Sequence, residues 1–195
     1  MLFKKIRQVE NIFKSIDKSI SRLKHVSGME CVPFCIECCK NPEIETTVLE
    51  FLPLAYHLYK IDKFDEILDK INNSPDNLIC VLLNPDLFKE RIGGCSEYPY
   101  RGLICRTFGF SIRENKNNIP ELVTCKYIKN KNLEEYQSAL TYISRYKRIP
   151  LLRKYALKFL SIDMEMANRY YPINNAIKLA IEKVCFYYQN RYNKR

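Results

Sequence analysis

Nine cysteines in a chain of 195 residues are the groups with the most chemistry to offer, and they are unevenly spaced. Four fall within nine residues, in Cys31-Val-Pro-Phe-Cys35-Ile-Glu-Cys38-Cys39. Cys80, Cys95, Cys105 and Cys125 follow, and Cys185 stands apart near the end. Thiolates are soft ligands that suit Zn²⁺ and iron–sulfur clusters, and short loops let neighbouring sulfurs converge on one ion. Cys35-x-x-Cys38 is the knuckle spacing that does this with little strain. In extended chain, successive side chains point to opposite faces, so the adjacent Cys38 and Cys39 are expected to serve different metals, or one a cluster while the other is reactive. Eight thiolates divide into two four-sulfur sites, a split whose pairing the spacing leaves open. Cys185, inside Ile181-Glu-Lys-Val-Cys-Phe-Tyr-Tyr, reads as a small buried filler on a helix and is left out of the ligand set.

The histidines, His25 and His57, lie outside the cysteine groups, and one full knuckle is visible. All-thiolate ligation with scattered single cysteines favours iron–sulfur slightly over zinc. Arg101 and Arg106 have a plausible task beside such a cofactor, since a four-thiolate site is negative and guanidinium groups can offset it and donate to sulfur. The plainer alternative for each is a surface arginine. Tyr98 is expected to pack on the site or to anchor a turn.

The opening cluster resembles the first signature of the CxxCxxCC family, the YkgJ-like zinc- or iron-chelating domain. Cys95-Ser-Glu-Tyr98-Pro-Tyr-Arg101-Gly-Leu-Ile-Cys105-Arg106 is similar to that family's second signature, C-x-x-Y-x-x-R-P-x-x-C-R, with Gly102 where the pattern has proline. The resemblance covers about residues 29–128. It implies that Cys80 and Cys125 flank the signatures as members of the family's eight-cysteine set, and it implies metal binding without supplying a reaction.

Three kinds of element must position these residues. Residues 2–24 read as an amphipathic helix, because Leu2, Ile6, Val9, Phe13, Ile16, Ile20 and Leu23 recur at steps of three and four; Ser27-Gly28 ends it. The first cluster, with Pro33, is a loop. Thr47-Val-Leu-Glu50 is a capping box that starts a helix, with Pro53 in its early turns, and a second helix is expected at about Lys63 to Ile71 before Asn72-Asn73-Ser74-Pro75. Leu78 to Leu83 and Ile104 to Ile112 are the strand candidates, with Gly93-Gly94 and Pro99 marking turns between them. Three helices follow, at about Leu133 to Tyr146, Leu151 to Tyr170 and Ile173 to Tyr192, with Pro150 and Pro172 at first-turn positions. The expected architecture is mainly α with an irregular, metal-centred middle: a first helix to residue 28, a cysteine domain over 29–128, and a helical extension over 129–195.

No apolar run approaches the length of a membrane span, and the N-terminus carries no apolar leader, so a cytoplasmic protein is expected. A reducing compartment makes clustered thiols metal ligands sooner than disulfides. The net charge of +10 is concentrated in residues 126–195, which hold 15 Lys and Arg against 5 Asp and Glu, while residues 1–125 hold 17 of each. Arg145-Tyr-Lys147-Arg148, Arg153-Lys154 and Arg191-Tyr-Asn-Lys194-Arg195 could meet nucleic acid or another acidic partner, or could be the solvated side of helices whose Leu151, Leu152, Tyr155, Phe159 and Ile162 face inward. Glycine-rich phosphate loops, HExxH and serine elbows are absent from the sequence. Cys31-x-x-x-Cys35-x-x-Cys38 also has radical-SAM spacing, but the helix before it and the scarcity of strands after it oppose a βα barrel. A metal-binding module, an iron–sulfur modifying enzyme and a metal-stapled RNA adaptor are the function classes that stand.

Overall fold

The computed structural model describes residues 1–31, 35–74, 76–84, 86, 94–131, 133–146 and 151–192, with backbone alone at 131, 146, 191 and 192. Pro33, Pro75, Gly93, Lys147, Arg148, Pro150, Lys194 and Arg195 lie outside the described residues. Helix α1, Leu2–Ser27, buries all seven residues of its apolar stripe. It runs slightly past the expected end and closes on Gly28, whose left-handed φ of 74° lets its N–H donate back to the Lys24 carbonyl at 2.8 Å.

After the first cysteines come β1 (Glu45–Thr47), a 3-10 turn (Leu49–Phe51), α2 (Leu52–Lys60) and α3 (Phe64–Asn72). The capping box is present in a modified form. The Thr47 N–H and hydroxyl both donate to Glu50 Oε1, at 3.1 and 3.0 Å. Pro53 falls in the first turn of α2, where a missing N–H costs nothing.

Leu78–Leu83 is not a strand. The chain there runs through bends and turns and makes a single bridge, between Leu83 and Cys95. Its polar groups are satisfied otherwise: Leu83 N–H donates to the Cys80 carbonyl at 2.9 Å, and Asn174 accepts from Val81 N–H and donates to the Asn77 and Ile79 carbonyls. A side chain from the far end of the sequence has taken the place of a ladder.

Ile104–Ile112 divides. Its first half is α4 (Leu103–Thr107), whose first N–H donates to Glu50 Oε2 at 2.7 Å, and its second half enters β2 (Ser111–Glu114) after Gly109 turns at φ 92°. β2 pairs antiparallel with β3 (Pro120–Val123), Ser111 opposite Val123. Helices α5 (Lys126–Lys131) and α6 (Leu133–Tyr146) follow.

The helix expected from Leu151 to Tyr170 is broken in two, α7 (Leu152–Ile162) and α8 (Met164–Asn168), at Asp163. Its carboxylate caps α8 by accepting Met166 N–H at 3.0 Å, and it also pairs with Lys5 of α1. Tyr170 belongs to β4 (Tyr170–Pro172), which pairs antiparallel with β1, Thr46 opposite Tyr171, and leads directly into α9 (Ile173–Tyr192).

One hydrophobic cluster joins these elements: the stripe of α1, Leu54 and Leu58 of α2, Ile143 of α6, Phe159 of α7, and Ile177 and Ile181 of α9. Among the described residues the fold is mainly α, with two short two-stranded sheets. Among the described residues, no helix is long and apolar enough to cross a membrane.

Candidate metal centre

Three stretches of irregular chain, one short helix and the junction of β3 with α5 carry the eight sulfurs of interest. Met29 is buried where the chain leaves α1, and Cys31 is exposed just beyond it. The N–H groups of Cys39 and Lys40 both donate to the Ile36 carbonyl, at 2.9 and 3.2 Å, so residues 36–40 form a tight turn that presents Cys38 and Cys39. The Cys80 N–H reaches the Cys39 carbonyl at 3.5 Å, a long contact. Asn84 N–H donates to the Gly94 carbonyl and Ser96 N–H to the Leu82 carbonyl, at 2.7 and 2.9 Å, which brings Cys95 alongside. Gly94 seals the three stretches together. A Cβ placed there would overlap a methyl of Ile36 and lie 2.9 Å from Leu83 Cδ1.

Cys105 lies on α4, and the hairpin of β2 and β3 carries the chain on to Cys125 at the head of α5. The Cys125 sulfur accepts the Ile128 N–H at 3.4 Å. Gly102, where the family pattern has proline, keeps a φ of −66° that proline would share. A Cβ there would come within 3.0 Å of the Phe51 ring and 3.2 Å of Glu50 Oε2, so the departure from the pattern clears space for these neighbours and leaves the turn intact.

The charges each thiol feels show which cysteines lie near one another. Burial first, then Cys31, Cys125, Cys39 and Cys35, push the Cys38 thiol up to about 12. Burial also lifts Cys80 to about 12, with Cys95 and Cys39 adding to it and the backbone donors of Leu82 and Leu83 opposing it. Cys95 rises to about 11, mainly by burial, with Cys39 contributing. Cys105 is raised by burial and by Cys80, Cys39, Glu50 and Cys95. Cys38 is thus neighboured by Cys31, Cys35, Cys39 and Cys125, and Cys39, Cys80, Cys95 and Cys105 make a second, overlapping group. Cys39 also feels Cys35, so it is common to both groups.

Among the described residues, no disulfide joins any cysteines, and no three His, Cys, Asp or Glu side chains are arranged to hold an ion as they stand. The donor chemistry nonetheless fits a thiophilic metal. The neighbouring donors are sulfur, the soft ligand that zinc and iron take, and a bound cation would offset the repulsion between adjacent thiolates.

A family model, CxxCxxCC, described as "Putative zinc- or iron-chelating domain", matches residues 30–138, more than half of the chain. The chain belongs to the CxxCxxCC family. The CxxCxxCC match begins one residue before Cys31, takes in all eight cysteines, and ends inside α6. No curated protein and no solved structure matches the chain.

The other residues singled out in this CxxCxxCC chain fall into place around the sulfurs. Arg101 Nε donates to the Tyr98 carbonyl at 3.0 Å, its guanidinium lies 3.4 Å from the centre of the exposed Tyr98 ring, and its charge acts on Cys39 and Cys95. Arg106 is buried and turned toward the frame. Its Nε donates to the Arg101 carbonyl at 2.8 Å, its Nη2 to the Pro99 carbonyl, and its Nη1 to Asp17 Oδ2 at 2.6 Å. His25 is exposed at the end of α1, and His57 stacks on Tyr100 with its Nε2 3.5 Å from Glu97, so neither enters a sulfur set. Cys185 is buried in α9, where it feels Asp65. On α7, Tyr155 and Phe159 face the core while Arg153 and Lys154 are exposed, the arrangement of a solvated helix face.

Three contributors escaped the reading by sequence. Glu50 caps α4 as well as its own turn; the capping box marks Glu50, but nothing local marks its second client. Asp17 is one polar residue among many on α1, and its pairing with Arg106 is tertiary. Gly94 was legible only as a turn residue, although its service is close approach.

Proposed function

We propose that this is a metal-binding protein whose metal is held by Cys31, Cys35, Cys38, Cys39, Cys80, Cys95, Cys105 and Cys125, with residues 29–128 as the binding part and the first and C-terminal helices as its frame. What supports this reading is the family match over all eight of these cysteines, together with the influence of neighbouring cysteines on Cys38, Cys80, Cys95 and Cys105, which are spread over the chain. Iron–sulfur is preferred to zinc, because no histidine joins either set. Bound iron–sulfur would supply one-electron chemistry, and zinc would supply a closed structural tie. Arg101, acting on Cys39 and Cys95, offsets part of the negative charge that four thiolates accumulate. A reducing, cytoplasmic setting keeps the thiols available for metal.

Metal and acid-labile sulfide analysis of protein purified without air tests the reading. Brown protein containing iron and sulfide is the expected result. Colourless protein with about two zinc ions per chain would replace iron–sulfur by zinc and keep the ligand set. Protein that carries no metal, and takes up neither zinc nor iron when reconstituted, would overturn it.

A further inference from the structure

Glu50 is buried to 5% exposure, and among the described residues it forms no ion pair. Its hydrogen bonds are accepted ones: from the Thr47 N–H and hydroxyl at Oε1, 3.1 and 3.0 Å, and from the Leu103 N–H at Oε2, 2.7 Å. Two of these three partners are backbone N–H groups, which have no lone pair to take a proton in return. Arg106, the buried guanidinium on the helix that Glu50 caps, is committed to Asp17 and to the Pro99 and Arg101 carbonyls. Buried charges are ordinarily paired, and this carboxylate lacks a counter-charge within the described residues. Burial accordingly raises it above its ordinary range, against hydrogen bonds that include those from Thr47 and Leu103.

A cavity of about 70 Å³ opens beside it. Glu50 and Leu103 line its inner part, Phe159 and Leu160 of α7 and Ala167 of α8 wall it, and Tyr170, 60% exposed, stands at its outer side. We propose that this cavity is a binding site for a small primary ammonium ion, which donates an N–H to Glu50 Oε2 while its alkyl part rests on Phe159 and Leu160. Oε2 accepts one hydrogen bond, and a carboxylate oxygen has room for another. The volume holds a few water-sized groups, enough for the whole of an ion such as ethylammonium. Apolar walls around a single carboxylate suit such a guest better than a hard metal cation, which asks for six or more oxygens. Among the described residues, no three His, Cys, Asp or Glu side chains meet to hold a metal there. Water could occupy the same volume and hydrogen-bond to Oε2, but it would leave the charge unpaired. The site stands apart from the cysteines, and goes beyond the metal-binding reading without depending on it.

The test is a titration of the intact, ¹⁵N-labelled protein with ethylammonium chloride, followed through the amide shifts of Thr47 and Leu103. Ethanol and sodium chloride are titrated at matched concentrations. The expected result is a saturable shift of both amides with ethylammonium alone, at a dissociation constant of about a millimolar at best, the limit for so small an ion. Glu50→Gln keeps an oxygen for Thr47 and Leu103 and removes the charge, so binding should weaken by about ten-fold or more. Ala156→Leu fills the cavity from α7 and leaves Glu50 in place; it should weaken binding equally, and gives the same readout where Glu50→Gln disturbs the fold. A shift that ethanol reproduces would make the cavity a water site and overturn the proposal. Binding that survives both substitutions, or no saturable shift with ethylammonium, would overturn it as well. None of these measurements reads metal content, so the metal-binding reading stands or falls separately.

Discussion

Arg106 spends its hydrogen bonds on the frame, while the neighbouring Cys105 acts on its charge. Its three nitrogens hold the carbonyls of Pro99 and Arg101 and the carboxylate of Asp17, and its guanidinium lies 4.4 Å from the centre of the Phe13 ring. The residue thus bolts the loop before Cys105 onto α1. Lysine cannot reproduce this, because a single ammonium cannot reach three acceptors in one plane. Arg106→Lys should destabilise the metal-loaded protein by about 2 kcal/mol, read as a lower urea midpoint with an unchanged slope. An unchanged midpoint would mean that the loop is held by other contacts. The spacing of the arginines and sulfurs made the neighbourhood legible, since both signatures are local. Asp17 was not legible, because the distance in sequence between it and Arg106 carries no pattern.

Elements were read best where one period ran without interruption. The α1 stripe satisfied a single helical period and is buried throughout, and Leu133–Tyr146 and Ile173–Tyr192 form where their periodicity predicts. Reading failed where a side chain from elsewhere took over the backbone, as Asn174 does at 77–81 and Glu50 does at Leu103. Asp163 is a third such case, since helical periodicity cannot show that a carboxylate within it will cap a new helix and hold Lys5. Burial pushes the Asp163 carboxyl up, but the hydrogen bonds from Lys5 and Met166 N–H and the charges of Lys5 and Lys183 outweigh it and hold the group below its usual range. A carboxyl lowered in the folded state stabilises the fold above its unfolded pKa, and that contribution fades as pH falls through the lowered value. Asp163→Asn keeps a capping oxygen and loses the charge. It should cost about 1 kcal/mol near neutral pH, with the difference from wild type shrinking as pH falls through and below the usual carboxylate range in urea unfolding across pH. A cost that persists undiminished in acid would assign the effect to packing.

Across the whole molecule, the helical core and the sulfur sets are built from different materials. The core of α1, α2 and α9 is mostly aliphatic, with β4 clamping β1 at its edge; Cys80 and Cys185 are buried in the cluster, and Cys95, Cys105 and Cys125 only pack against it. Metal should therefore govern the irregular chain more than the helices. Stripping it with a strong chelator should lower hydrogen-exchange protection by about ten-fold or more over residues 35–43, 76–84 and 94–106. The buried faces of α1 and α9 should keep theirs. Uniform loss would make the metal a partner in the global fold, and no change would remove it from the fold altogether.

The absent side chain at position 94 ties that position to another part of the chain. Ile36, between the cysteines of the first cluster, rests its methyl in the room that Gly94 leaves, with Leu83 closing the far side. Volume at 36 and volume at 94 are thus one quantity shared between two loops nearly sixty residues apart. A methyl gained at 94 has to be surrendered at 36, so the two positions are coupled, and an aliphatic contact holds the first cysteine loop against the stretch before Cys95 before any ion arrives.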